Sequence, residues 1–91
     1  MLVERKNFGQ FLKTKRVEAG LSQEVVAKKL GYTSAQFISN WERGVSAPPI
    51  ERLKSLAELY KIPHNHLIDV IVDETRDYLK TVFKSSKKKR T

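Results

Sequence analysis

The chain has 91 residues, 40% of them apolar and 31% charged, with a formal net charge of +8. That length holds one compact domain and excludes a second, ligand-sensing domain of ordinary size; no run is long enough for a membrane span, and no apolar stretch near Met1 resembles a signal peptide. Cysteine is absent, which excludes disulfides and thiolate metal sites and leads us to expect a reducing, cytoplasmic setting.

The hydrophobic periodicity is helical almost throughout, with no strand alternation. Phe8, Phe11, Leu12 and Ala19 fall on one side of a first helix that Gly20 stops. Ser22 can cap a second helix, with Leu21 and Val26 placed as a hydrophobic staple across the cap. Val26, Ala27 and Leu30 face the core, and Gly31 can take the left-handed conformation that ends the helix. A third helix is expected around Thr33 to Arg43. Thr33 and Gln36 have the spacing of a capping box, Tyr32 and Phe37 that of a staple, and Gly44 closes the element. Val45 to Pro49 reads as a loop, because consecutive prolines cannot continue a helix. Ile50, Leu53, Leu56, Ala57 and Tyr60 then give a fourth helix of about three turns. Pro63 suits the first position of a fifth. There Leu67, Ile68, Ile71, Val72, Tyr78, Leu79, Val82 and Phe83 keep an apolar stripe running well past what a closed bundle needs. From Ser85 to Thr91 no residue is apolar, and disorder is expected. The expected fold is thus an all-α five-helix bundle with a long C-terminal helix and a disordered basic tail, divided as a compact domain at 1–70, a helical extension at 71–84 and the tail at 85–91.

Charge is unevenly placed. Residues 1–44 sum to +4, residues 45–83 to −1, and the tail from Lys84 to +5. A basic front half and a basic tail around a nearly neutral middle point to a polyanion partner at one face. Two short helices joined by a tight turn and followed by another element have the geometry that lays one helix in the DNA major groove. At 100° per residue, Trp41 and Ser34 fall on the side of Ile38, whereas Gln36, Ser39, Asn40 and Arg43 gather on the opposite side. Amide side chains can offer a donor and an acceptor to one adenine edge, and arginine can bond guanine or a phosphate. Whether the Gln36 amide reads a base or closes its own cap stays open at this level.

The runs Arg16-Val-Glu-Ala-Gly-Leu-Ser-Gln23, Ala27-Lys-Lys-Leu-Gly31 and Ile38-Ser-Asn-Trp-Glu-Arg-Gly44, with Pro48 and Leu53, resemble the phage-repressor and Cro type of helix-turn-helix, the XRE family. The likeness covers about Phe8 to Ile68. It implies a lambda-repressor-like five-helix bundle that binds double-stranded operator DNA, usually as a symmetric homodimer, and so a transcriptional regulator, a repressor being the expected kind, associated with the nucleoid. It assigns Gln23 to a phosphate contact, base contacts to the outward positions Gln36 and Asn40 with Ser39 nearby, and an ion pair to Arg16 and Glu42. The chain departs from the pattern twice. One additional residue between Gly31 and Ile38 leaves Ser34, Ala35 or Gln36 as the first base-reading position; an early helix start at Thr33 would absorb it. The loop after Gly44 has no lysine or arginine, so Arg43 and Ser46 are the remaining candidates for backbone contacts there.

No catalytic constellation, cofactor motif or metal-ligand set accompanies these features. His64 and His66 diverge by about 200° on a helix and cannot share a metal. Asp69, Asp73 and Asp77 form an acidic row that DNA would repel. Lys87 to Arg90 could add sequence-independent phosphate contacts. A second functional class is an antitoxin-like or adaptor protein that binds a protein partner through Ile71, Tyr78, Leu79, Val82 and Phe83. The same stripe would serve a homodimer.

Overall fold

Five α-helices make up the computed structural model, which describes the backbone of residues 5–89 and the side chains of residues 7–84. The first, α1 (Arg5–Glu18), ends as Gly20 enters the left-handed region at φ 74°. Ser22 then caps α2 (Gln23–Lys29), its hydroxyl accepting from the Val25 N–H at 3.1 Å. Gly31 turns the chain out of α2 at φ 85°. The expected fourth helix divides into a 3-10 turn at Ile50–Arg52 and α4 (Leu53–Leu59), and Ile50 lies exposed outside the core. In α5 (His64–Lys89) the first turn closes on Pro63, whose carbonyl accepts from the Leu67 N–H at 3.1 Å. Among the described residues there is no strand.

The third element, α3 (Gln36–Arg43), starts two residues later than the capping-box spacing predicts. Thr33 caps nothing. Ala35 occupies the cap position without a side-chain bond, and the Ser34 hydroxyl accepts from the Gln36 N–H at 3.0 Å. The cause is the anchoring of Tyr32. Its N–H bonds to the Ala27 carbonyl, its ring stacks on Phe37 at 4.6 Å, and it meets Trp41 edge-on at 5.7 Å. With Tyr32 tied to α2 and to the core, residues 33–35 span the gap as a turn. The additional residue is absorbed there, and the staple forms without the box.

The core gathers one face from every helix: Phe8 and Leu12, Val26 and Ala27, Ile38 and Trp41, Leu56 and Ala57, and Leu67. Removing each large side chain among them from water contributes about 1.5–3 kcal/mol. Gly9 lets α1 approach α3 backbone to backbone. A β-carbon there would collide with the Trp41 carbonyl oxygen and stand 2.6 Å from that of Glu42. At this point α3 is therefore seated directly on the main chain of α1.

The backbone of α5 stays helical through Lys89, five residues into the segment expected to be disordered. Lysine is a good helix former, no Gly or Pro follows Pro63, and cations near a helix C-terminus meet its dipole favourably. Arg90 and Thr91 lie outside the described residues.

Candidate nucleic-acid interface

α3 presents two contrasting faces. Ile38 and Trp41 are buried, whereas Gln36 and Arg43 are exposed and Ser39 and Asn40 half-buried. The four polar side chains form one connected network. Gln36 Nε2 donates to Asn40 Oδ1 at 2.9 Å, Arg43 Nη2 donates to the same oxygen at 2.7 Å, and Arg43 Nε donates to Ser39 Oγ at 3.2 Å. Gln36 thus turns forward along the helix and plays no part in a cap. Gly44, at φ 79°, ends the helix, its N–H directed to the Trp41 carbonyl, while the Val45 N–H returns to the Asn40 carbonyl at 2.9 Å. Ser46 follows, half-buried, with its own N–H 3.4 Å from that carbonyl.

Beneath this face Arg16 of α1 grips Glu42 of α3. Arg16 Nε lies 2.6 Å from Glu42 Oε2 and Nη2 lies 3.1 Å from Oε1, a two-pronged contact whose side chains are 11% and 4% exposed. The third prong, Nη1, donates to the Leu21 carbonyl at 2.8 Å, fixing the turn between α1 and α2. The hydrogen bond to Glu42 raises the Arg16 guanidinium above its ordinary range, against the opposing effect of burial. Burial raises the Tyr60 phenol as well, reinforced by the Glu42 charge and opposed by that of Arg16.

Gln23, at the first position of α2, donates its amide to Glu42 Oε1 at 2.9 Å. It lines a polar cleft of about 410 Å³ with Gln10, Lys13, Ser39, Glu42 and Arg43. Gln10 and Lys13 were missed by the sequence reading. Their signal is their spacing, since Lys13 precedes Arg16 by three residues and Gln10 precedes Lys13 by three, placing all on neighbouring positions of α1. Ser34 stands apart from this group, exposed in the turn before α3 with its hydroxyl turned to the Gln36 N–H.

The remaining candidates lie on α5. Val72 (46% exposed), Tyr78 (41%), Val82 (37%) and Phe83 (67%) stand in solvent, and Ile71, Val72, Leu79 and Phe83 border an open apolar groove with Thr75, Arg76 and Lys80. His64 faces Glu58 at 3.9 Å and the His66 ring tilts against Phe11, so the two histidines go separate ways. Among the described residues no helix is long and apolar enough to cross a membrane, and no three acidic or histidine side chains converge on a metal position.

A family described as Helix-turn-helix has a sequence model that matches residues 12–67, from the second half of α1 to the first turn of α5. Among curated proteins and among solved structures, nothing matches the chain.

Proposed function

The chain belongs to the helix-turn-helix family, of the Cro and repressor type, and is a DNA-binding transcription regulator; from that premise we propose that it is a sequence-specific repressor that reads the major groove with α3 and binds its operator as a homodimer. The observation that carries this reading is the segregation on α3. Ile38 and Trp41 hold the helix on the core while Gln36, Ser39, Asn40 and Arg43 gather outside. Gln36, Ser39 and Asn40 contact base edges, with Ser34 at the margin. Gln23, Arg43 and Ser46 hold the phosphate backbone, joined by Gln10 and Lys13 from the shared cleft. Residues 1–70 are the DNA reader, and residues 71–84 are the surface on which a second copy docks, through Ile71, Tyr78, Leu79, Val82 and Phe83. The exposed apolar side chains of α5 support that assignment. The setting that follows is the nucleoid.

Selection of bound duplexes from a random pool, followed by affinity against salt concentration, tests the proposal. A two-fold motif with half-sites about one helical turn apart is expected. Each phosphate contact should steepen the salt dependence by about one in the log–log slope. A flat pool would overturn sequence-specific reading. A full-length chain that stays monomeric at micromolar concentration would instead favour the second reading, an antitoxin-like or adaptor protein whose apolar α5 groove takes a different protein.

A further inference from the structure

We propose that Arg43 is a positioning residue that fixes the amide polarity of Asn40, making Asn40 a reader of acceptor-only base edges and leaving Gln36 as the adenine reader. This rests on the reading of Gln36 and Asn40 as base contacts and assigns each its chemistry.

The guanidinium of Arg43 carries donors and no acceptor. An amide facing it must turn its oxygen inward, and Asn40 Oδ1 does so at 2.7 Å. Gln36 meets the same oxygen, so it in turn must offer an N–H, and its Nε2 lies 2.9 Å away. The polarity of the chain Arg43 to Asn40 to Gln36 thus follows from one residue that cannot accept. A carbonyl oxygen has two acceptor positions, and both on Asn40 are filled. What Asn40 can still offer outward is its NH2 group, a donor pair alone. Gln36 keeps its Oε1 acceptor and a second N–H donor.

These two sets match different bases. Adenine shows an acceptor at N7 and a donor at N6, which needs one donor and one acceptor from the protein, as Gln36 provides. Guanine shows two adjacent acceptors, N7 and O6, which suit a donor-only group better than the single O4 of thymine. An unconstrained asparagine would pair with adenine; held by Arg43, Asn40 has lost the acceptor for that contact. The Arg43 Nε bond to Ser39 Oγ, at 3.2 Å, holds the guanidinium across the turn and keeps the arrangement in register.

Duplex selection with four full-length chains tests this: wild type, Asn40→Ala, Arg43→Met and Arg43→Lys. Asn40→Ala identifies the base position that Asn40 reads, where preference should fall about 5- to 150-fold. Wild type should select a G·C pair there, where N7 and O6 of guanine both accept from the NH2 group. Arg43→Met removes the donors but keeps the length, so an A·T pair should rise against G·C at that one position at least about fivefold. Arg43→Lys keeps a donor and should retain the wild-type preference. Selection of an A·T pair at the Asn40 position by wild type overturns the inference while leaving base reading intact. So does an Arg43→Met pool unchanged in base preference but weaker on every sequence, the behaviour of a phosphate contact alone. A flat wild-type pool overturns the base-contact reading and this inference with it.

Discussion

Replacing Glu42 by alanine strands a charge. In the folded chain the Glu42 carboxylate accepts two bonds from Arg16, at 2.6 and 3.1 Å, and one from Gln23 at 2.9 Å. Without it the guanidinium, its side chain 11% exposed, keeps only the Leu21 carbonyl among the partners described. Hydrogen bonds to charged groups contribute about 1.5–3 kcal/mol each. Loss of two, with an uncompensated cation near the core, places the change at about 3–5 kcal/mol. For a small domain that is a large part of the total stability, on the order of 5–15 kcal/mol. Urea unfolding followed by the fluorescence of Trp41, the sole tryptophan and 4% exposed, reads the change directly. Arg16→Met should lose a similar amount. The double variant Arg16→Met with Glu42→Met should recover to within about 1 kcal/mol of wild type or exceed it, because removing both charges leaves none stranded. Single variants that lose less than about 1 kcal/mol would refute the reasoning, since that is how a solvent-screened surface pair behaves. A double variant as unstable as the two single changes summed would refute it too.

Other expectations follow from the same geometry. Gln36→Ala and Asn40→Ala should each weaken the preferred duplex by about 1–3 kcal/mol and random duplex much less, measured by titration at fixed salt. Gly9→Ala drives a methyl group against the Trp41 and Glu42 carbonyls and should destabilise the fold by at least about 1–3 kcal/mol, read as a lower urea midpoint. Because burial raises the Tyr60 phenol, the folded chain keeps that proton where the unfolded chain releases it. The associated stability is complete below about pH 10 and is lost as pH rises further; Tyr60→Phe should flatten the alkaline fall in thermal midpoint, and an unchanged slope would contradict it. Val82→Glu with Phe83→Glu, both exposed positions, should leave the circular dichroism spectrum intact and convert the proposed dimer to monomer in sedimentation.

Much of the fold was legible because its signals are local. Ser22 caps α2, Gly31 and Gly44 end their helices, and Tyr32 meets Phe37, all within a few residues of one another. The start of α3 was not, because the Thr33–Gln36 spacing is a local signal and the start is decided by Tyr32, which is held by a carbonyl in α2 and by Trp41. The polar face of α3 could be drawn from periodicity alone. The direction of each amide could not, since it follows from which neighbour lacks an acceptor. Gln23 illustrates the same limit: its amide bonds a carboxylate nineteen residues away, a pairing that becomes visible only once α2 and α3 are in contact. The length of α5 was underestimated because lack of apolar residues was taken as lack of structure, although nothing in Ser85 to Lys89 breaks a helix.

The absence of a side chain at Gly9 also sets how α3, as the proposed reader, responds to a wrong sequence. With the α1 main chain directly behind Trp41 and Glu42, the C-terminal half of α3 has no side-chain layer between itself and α1 at that point. Many helices rest on side chains that can change rotamer and let the helix sink by a fraction of an ångström. Here that compliance is missing on the side away from the duplex. A mismatched base then has to be accommodated by the DNA, through a change in groove width or local bending, or the contact is lost. On the proposed reading, discrimination in this protein therefore depends on the stiffness of the operator as much as on its hydrogen-bonding pattern, and substitutions that soften the α1–α3 contact would blur sequence preference before they abolish binding.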